Sequence, residues 1–553
     1  MADSMPAGET TSTARAGRIS LHLALIALGV VAMHLFLWEF ADRRPPMQNV
    51  QWWQAIAELM HSRGFFNVWT PYPPVFPAVF YAASRVLPAE TARTVTLAWK
   101  TCNILLLIGQ ASLIFLLVRR LLPERAEFRT KTSLLAVLAF TAAMWQPRSM
   151  VLLGPWMDQF DYLPAFMMLL AVFLLVRSGR TQGSPLHEND GRTQGSPLQE
   201  NDGRTQGSPL QENDGRTQGS PLHENDGRTQ GSAVDKWPGL TWRETASAMV
   251  CGIGIMTKLF PGLLVLAAWP LLGWRRGLRY AGIAAAACVV LALPSAIANR
   301  EMFLSPARYT ASRPAWESVW AYAFPAFHSD RGGRRDPLAA MPPAPHPQIA
   351  ADVFTKPYRV EDDPQLRFWA AAWGPRRQFG PTNLIALPLF AIIAATAIAG
   401  MRACVRTTAG FGHWALGSRP EKSSTPKPKA ESPTPSSALI RGLLVILLGF
   451  LLCSKGFSTY FIVWIVPLLC IAYPGAGGFA ISAVLVLLGN AELLGYMGRV
   501  IQEIGNRDAI IFFTKLGPPG FQFWGSIFVR HAILMAVMVH QMHRLWNNRE
   551  IAV

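Results

Sequence analysis

Charged residues are scarce in this sequence of 553 residues, where Asp, Glu, Lys and Arg together make up 15% and hydrophobic residues 51%. A soluble chain of this length would need charged side chains over the surfaces of several domains. The low charge therefore argues against a set of soluble domains, and the composition is typical of a membrane protein.

Cysteines are also few, and the six present lie within or beside apolar runs without the spacing of a metal site. This pattern excludes a disulfide framework and a zinc site. A small-residue cleavage site is absent after the first apolar run, which follows Arg15 and Arg18. We therefore expect a retained helix rather than a cleaved signal peptide.

The net charge of +17 does not indicate nucleic-acid binding, because Lys and Arg cluster in short segments between apolar runs. The basic segments lie on alternate loops, at 119–131, after 177, at 275–279 and at 402–429. The positive-inside rule then predicts that both termini are cytoplasmic. The basic loops alternate in this way only if residues 72–87, which contain three prolines, do not cross the membrane. We therefore expect them to form a re-entrant or interfacial segment.

The apolar runs predict an all-α polytopic membrane protein with about 12 transmembrane helices. They lie at residues 19–40, 101–118, 133–150, 162–176, 246–257, 260–272, 280–297, 384–401, 442–453, 460–473, 479–496 and 524–541.

These runs divide the chain into alternating membrane and loop segments. We expect membrane segments at 19–178 (helices one to four), 237–298 (helices five to seven), 384–402 (helix eight) and 439–545 (helices nine to twelve). The expected external loops are residues 41–100, within the first of these segments, and residues 299–383. The expected cytoplasmic segments are the tail at 1–18, the loop at 179–236, the linker rich in Pro, Ser and Lys at 403–438 and the tail at 546–553.

The cytoplasmic loop from Gly179 contains four copies of a twelve-residue repeat, GRTQGSPLHEND or its Gln variant, and then GRTQGS. Leu is the only large apolar residue in the repeat, so the segment cannot bury a core. We interpret it as a disordered insertion without a catalytic role. His187 and His223 are solitary, which argues against metal binding there.

Acidic residues stand at two predicted external boundaries. Asp158 and Asp161 are three residues apart at the start of a helix, so that both carboxylates can share a face; the alternative is ordinary helix capping. Glu39 and Asp42 follow the first helix, where a carboxylate could accept the proton of an attacking hydroxyl. The alternative for this second pair is a loop charge that pairs with Arg43 or Arg44.

Two cations lie at the same predicted face. Lys258 occupies the tip of a tight hairpin, where it could bind a lipid phosphate, or could extend to the interface without a specific role. Arg530 lies near the outer end of the last span. It could act at a site, or form an ion pair with Glu492 that stabilises helix packing.

Four segments, TPYPPVFPAVFY, DQFDYLPAFMMLL, GIMTKLFPGLLVLAAWPLLGWRR and KGFSTYFIVWIVPLL, occur in this order along the chain. Together they resemble the GT-C class of glycosyltransferases that use polyprenyl-phosphate sugars, in particular the bacterial mannosyltransferase-type glycosyltransferase 87 family. The resemblance implies a GT-C-like bundle with large external loops. It also implies inverting transfer of mannose or another sugar from a polyprenyl phosphate to a lipid or glycan acceptor, outside the bacterial inner membrane.

The resemblance also implies residue roles. It places the catalytic acid at Asp42, with Glu39 in reserve, and assigns Asp158 and Asp161 to donor or acceptor organisation. The groups implied near the donor phosphate are Lys258, Lys455, Ser458 and Tyr460, and we add Arg530 from its position. The chain departs from the family at MQNVQWW, which has no acid before its aromatic residues.

We expect no obligatory metal, because a monophosphate donor has no diphosphate to bind one. The expected partners are the lipid-linked sugar, its acceptor and membrane lipids. Two other functions fit a bundle of this kind: a secondary transporter or lipid-linked sugar flippase, although the matching halves typical of transporters are not visible, and a membrane scaffold without chemistry.

Overall fold

Helices form the regular elements of the described part of the chain. The computed structural model describes residues 17–32, 60–61, 64–67, 73–86, 92–122, 126–144, 161–176, 239–300, 303–304, 307, 318–320, 381–414, 434–454, 456–457, 461–504 and 519–547. This confirms the all-α prediction within those residues.

Twelve α-helices are present in the described part. They are α1 (Gly17–Ala32), α2 (Val75–Val86), α3 (Ala92–Leu121), α4 (Ala126–Met144), α5 (Tyr162–Leu175), α6 (Trp242–Ile255), α7 (Leu263–Ala298), α8 (Pro381–Trp414), α9 (Pro435–Cys453), α10 (Ile462–Ala472), α11 (Ala476–Ile504) and α12 (Pro519–Asn547). Short 3-10 helices lie at Phe65–Asn67 and Phe260–Gly262.

Five segments are long and apolar enough to cross a bilayer, namely Thr101–Leu121, Phe260–Ala298, Leu384–Arg406, Pro435–Cys453 and Gln522–Asn547. Shorter apolar helices include α1, α5 and α10. A hydrocarbon core about 30 Å thick accommodates such helices because their backbone groups are hydrogen-bonded internally. The protein is therefore an all-α polytopic membrane protein.

The core of the bundle is built around α9 and α10. In the apolar stretch of α9, 83% of the residues are buried inside the protein. The corresponding share is 11% for α7 and 28% for α8. Both α9 and α10 are apolar on all sides, and helices of that kind are buried on all sides. The exposed apolar faces of α7 and α8 are suited to contact with lipid.

Helix α7 is interrupted by a reversal of the chain. Gly273 has φ 75° and ψ 173°, a backbone conformation that residues other than glycine rarely adopt. The Trp269 ring packs directly against Gly277, at 3.2 Å from the position that a Cβ atom would occupy there. The two halves of α7 therefore lie side by side, joined by a turn at Gly273.

Basic side chains gather at one end of the bundle, which we call the basic end. Arg120 donates to the carbonyls of Phe173 (2.7 Å) and Val176 (3.3 Å) and interacts electrostatically with Arg243. The neighbouring Glu244 forms an ion pair with Arg276. Residues near the C-terminus of α5, the start of α6 and the turn of α7 thus share this end.

Several helices are longer than the apolar runs from which they were predicted. The backbone hydrogen bonds of a helix can continue through residues that are no longer apolar. Helix α8 extends to Trp414, and α9 begins at Pro435, where Thr434 caps it. Residues 180–239, which contain the repeats, form a unit separate from the rest of the chain. Of that unit, only Gly239 is described.

Candidate functional site

An ion pair joins Asp161, directly before α5, to Lys258, in the loop between α6 and α7. The Asp161 side chain is 6% exposed and that of Lys258 is 19% exposed. The Asp161 carboxylate makes no hydrogen bond as a cap of α5. Its partner is the ammonium group 97 residues away in the sequence, so helix capping is not its role here.

The loop that carries Lys258 is held in a tight turn. The backbone N–H groups of Thr257 and Lys258 both donate to the Gly254 carbonyl, each at 3.0 Å, and the Thr257 hydroxyl donates to it at 2.6 Å. A Cβ at Gly254 would lie 3.0 Å from Pro261 and 3.2 Å from Met167. Glycine therefore permits the close packing that fixes the position of Lys258.

Aromatic rings lie beside the Lys258 ammonium group. Its Nζ is 4.7 Å from the centroid of Trp464 and 4.9 Å from that of Phe461. Phe260 and Phe461 each stack on Trp464, with centroid distances of 3.9 and 4.0 Å. Cation–π attraction at these distances adds to the ion pair in holding the ammonium group.

Arg530 is the second cation of this region, and its side chain is fully buried. It forms an ion pair with Glu492 and donates from Nη2 to the Phe457 carbonyl at 2.8 Å. Its guanidinium carbon also lies 4.2 Å from the centroid of the Phe457 ring. The ion pair considered from the sequence is therefore present, and it anchors the segment before α10.

The two cations are connected by a row of rings. Phe457 stacks on Phe461 at 6.2 Å, and Phe461 stacks on Trp464 at 4.0 Å. Phe461 directly precedes α10 and Trp464 lies three residues later in its first turn, so these two rings share one side of the helix. We call this row, together with Phe260, the aromatic row. Arg530 lies at the Phe457 end of it, and Lys258 lies beside its two middle rings, Phe461 and Trp464.

Additional polar atoms are buried around the aromatic row. Within the described residues, Trp464 Nε1, Asn490 Oδ1 and His531 Nε2 make no hydrogen bond. His531 packs edge-on against Phe457, with centroids 5.5 Å apart. Buried polar atoms of this kind are unusual in a structural core, where most have a partner.

All four sequence segments that carry the family resemblance meet at this place. The Val75 N–H, at the start of α2, donates to the Met256 carbonyl at 3.2 Å. Asp161 of the second segment pairs with Lys258 of the third, and Lys258 lies beside Phe461 of the fourth. The lysine loop, which is the loop 256–262, is the common element of these contacts.

Three of the nine predicted site residues are described, and two of them, Asp161 and Lys258, are in direct contact. The third, Arg530, is linked to them through the aromatic row. The remaining predictions, Glu39, Asp42, Asp158, Lys455, Ser458 and Tyr460, lie outside the described residues. Sequence reasoning missed Phe260, Phe457 and His531, although the recurrence of aromatic residues in GFSTYFIVW was a usable signal.

Metal-binding groups are not clustered in the described part of the chain, where no three His, Cys, Asp or Glu side chains come together. The cationic and aromatic groups found there instead suit an anion attached to an apolar or sugar-bearing molecule.

Comparison with known proteins identifies no family for this chain. Neither a protein-family model nor a curated protein matches it. Two solved structures of an oligosaccharyltransferase from Archaeoglobus fulgidus align with 95% of this chain at 11% identity. One is the apo form, with a TM-score of 0.31. The other, named AglB, is in complex with an inhibitory peptide and a dolichol-phosphate, with a TM-score of 0.29. The alignments span 55% of each of those chains, and their TM-scores are too low to decide the fold family.

Proposed function

We propose that the protein is a GT-C-type glycosyltransferase that moves a sugar from a polyprenyl phosphate to a lipid or glycan acceptor. The observation that carries the proposal is the meeting of four distant sequence segments at the lysine loop. The contacts Val75 to Met256, Asp161 to Lys258 and Lys258 to Phe461 join parts of the chain that are 97 or more residues apart. A convergence of these particular segments is expected if they form one site.

Lys258 is the cation best suited to bind the donor phosphate. Its side chain is partly exposed, whereas that of Arg530 has no exposed surface. A phosphate oxygen could therefore reach the Lys258 ammonium directly. Arg530 would act indirectly, by holding Phe457 in place through the hydrogen bond to its carbonyl, because the charge of Arg530 is already balanced by Glu492.

The aromatic row would support the donor site. Phe260, Phe457 and Trp464 are buried, so they would hold Lys258 and Phe461 in place from within the protein. Phe461 is partly exposed and its ring centroid lies 4.9 Å from Lys258 Nζ. Its ring therefore offers an apolar surface on which a sugar face or the first units of a lipid chain can rest beside the phosphate.

The proposed reaction is a single displacement. The acceptor oxygen attacks the anomeric carbon, and the bond from that carbon to the phosphate oxygen breaks with both electrons passing to the phosphate. A carboxylate accepts the hydroxyl proton, for which Asp42 or Glu39 remains the prediction. Attack from the opposite side inverts the anomeric centre. The cations stabilise the charge that develops on the phosphate.

The pairing with Lys258 changes the role proposed for Asp161. A carboxylate already bound to an ammonium group is poorly available to accept a proton, so we assign Asp161 to positioning Lys258. The Asp161→Asn variant should then weaken donor binding and raise KM for the donor more than it lowers kcat. A variant that loses kcat at unchanged KM would return Asp161 to the role of base. Asp158 keeps its predicted role beside it.

The reaction is tested by sugar transfer with purified protein in liposomes. A panel of radiolabelled polyprenyl-phosphate sugars is combined with a membrane lipid extract as acceptor, and wild type is compared with Lys258→Met and Asp42→Asn. We expect transfer by wild type and at least a hundredfold loss in Lys258→Met, because removal of one stabilising charge typically costs about 10²–10³ in rate. Arg276→Met is the matched control, since Arg276 is also a cation paired with a buried carboxylate but lies at the basic end.

The outcomes separate the competing functions. Transfer that survives in Asp42→Asn moves the base to Glu39. Equal rates of sugar transfer in Lys258→Met and Arg276→Met would contradict the proposal that Lys258 binds the donor phosphate. Movement of an unmodified sugar or lipid across the membrane, without transfer to any acceptor, indicates a transporter or flippase instead.

A further inference from the structure

A second site lies between α1 and α4, apart from the aromatic row. It is a cavity of about 670 Å³ whose lining is almost wholly apolar, with contributions from Leu25, Gly29, Leu134 and Leu138. Among the described residues that line it, Lys131 is the one with a charged side chain, and Thr141 lies at the far end. We propose that this groove binds one acyl chain of an anionic phospholipid, whose phosphate is met by Lys131.

The length of the groove fits an acyl chain. Lys131 and Thr141 are ten residues apart on one helix, which corresponds to about 15 Å at the rise of an α-helix. The hydrocarbon core of a bilayer is about 30 Å thick, so the groove spans one leaflet. A phospholipid tail ends within its leaflet, whereas a long polyprenyl chain would extend beyond it. Length therefore favours the phospholipid.

Lys131 lies at the end of the groove where the headgroup of a bound phospholipid would be. Arg119 donates to the Thr130 hydroxyl at 3.2 Å, directly beside Lys131 in the sequence. Arg119 also lies over the Phe115 ring, on which His22 of α1 stacks. Lys131 is thus level with the basic end of the bundle, where lipid phosphates would face the polar surface. Cations at this level attract anionic headgroups over neutral ones.

Gly29 leaves the groove open. No atom of the described residues lies within 4 Å of the position that a Cβ at Gly29 would occupy. A larger side chain there would therefore fill the groove without striking the protein. The residue gives a direct way to close the site while leaving the helices in place.

The test uses full-length protein in phosphatidylcholine vesicles that contain a small fraction of a photoreactive phospholipid. The reactive group is on the acyl chain, and the headgroup is either phosphatidylglycerol or phosphatidylcholine. Labelled positions are mapped by mass spectrometry. The exposed residues Val289, Val290 and Ile297 of α7 report ordinary contact with bulk lipid.

We expect the ratio of phosphatidylglycerol to phosphatidylcholine labelling to be about fivefold higher at the groove than on α7, as one lysine near a membrane surface implies. Lys131→Gln should lower the ratio to that of α7, whereas Arg275→Gln, which changes another exposed cation, should not. Gly29→Leu should reduce labelling of the groove by both probes. Gly282→Leu is its control, because Gly282 also has open space around it.

Three results would overturn the proposal. The first is an equal ratio at the groove and on α7, and the second is groove labelling that is unchanged in Gly29→Leu. The third is displacement of the probe by unlabelled polyprenyl phosphate but not by unlabelled phosphatidylglycerol, which would assign the groove to the donor lipid. The readout does not depend on sugar transfer, so it stands or fails separately from the proposed reaction.

Discussion

Arg530 and Glu492 show how single residues impose conditions on this fold. Their side chains are 0% and 1% exposed, and the arginine also donates to the Phe457 carbonyl. Charges removed from water are tolerated only when they are paired and hydrogen-bonded. The pair therefore fixes α12 against α11 and against the segment that leads into α10.

Removing one member of this pair should destabilise the protein strongly. We expect Arg530→Met to lower the free energy of unfolding by about 3–5 kcal/mol, because Glu492 would be left as a buried charge. The double variant Arg530→Met with Glu492→Leu should recover most of that loss. Unfolding in detergent, followed by circular dichroism, measures both.

Arg276→Met is the comparison variant, since Arg276 is also ion-paired but its side chain is 27% exposed. The Glu244 carboxylate that remains keeps the hydrogen bond from the Thr241 N–H at the start of α6, and water can reach the place of the partly exposed Arg276 side chain, so this replacement should cost less. Equal losses for Arg530→Met and Arg276→Met would show that burial does not determine the importance of the Arg530 pair.

At the scale of elements, close helix contacts depend on small residues. A Cβ at Gly252 of α6 would lie 2.5 Å from the Ala284 carbonyl oxygen of α7 and 2.7 Å from the Ala287 Cβ. These two neighbours are a backbone atom and a short side chain, neither of which can move alone. The separation of α6 and α7 is therefore set by the absence of a side chain at position 252, as in many membrane helix pairs.

Gly252→Ala should push these two helices apart. We expect a loss of about 1–3 kcal/mol in the free energy of unfolding, which is typical of overpacking. Gly282→Ala, in α7 itself, should be neutral or should stabilise by up to about 1 kcal/mol, because its side chain meets open space and alanine favours the helix. A similar loss in both variants would contradict the close contact as the cause, because alanine at position 282 meets no neighbour there and favours the helix.

At the scale of the whole molecule, the lysine loop and the basic end lie on opposite sides of the bundle. Gln110 and Arg120 of α3 bond to opposite ends of α5, at the carbonyls of Tyr162 and Val176. The loop with Lys258 adjoins the first end through Asp161. The positive-inside rule predicts that the basic end is cytoplasmic and the loop external.

Thiol labelling tests this orientation. In a variant without the six native cysteines, single cysteines replace Leu259, beside Lys258, and Trp274, at the turn of α7. Both positions are exposed, at 60% and 66%. A membrane-impermeant maleimide should label Leu259→Cys in intact cells and Trp274→Cys only after permeabilisation. The reverse pattern would invert the predicted topology and place the candidate site in the cytoplasm.

The repeat-containing unit should be dispensable for folding. The Ser247 hydroxyl of α6 donates to the Ala171 carbonyl of α5 at 2.7 Å, so the end of α5 and the start of α6 are close together. We expect that a short Gly/Ser linker in place of residues 180–238 leaves the melting temperature and sugar transfer unchanged. A variant of equal length with scrambled repeats separates the effect of sequence from that of length. A marked loss of stability in both variants would assign the repeats a structural role.

The class of this protein and the candidate residues could be predicted from the amino-acid sequence alone. Apolar runs of sufficient length predict helices that cross a bilayer, since that property depends only on neighbouring residues along the chain. Asp161 and Lys258 could be chosen singly, because a charge near an apolar run is costly and therefore informative.

Which of these residues are in contact depends instead on the packing of the helices. The pairing of Asp161 with Lys258, and the position of Lys258 beside Phe461 and Trp464, depend on how α5, α6, α7 and α10 pack. Those contacts are set by helix direction, by the small residues at crossings and by the turn at Gly254. Because such packing joins residues far apart in the chain, no local pattern contains it.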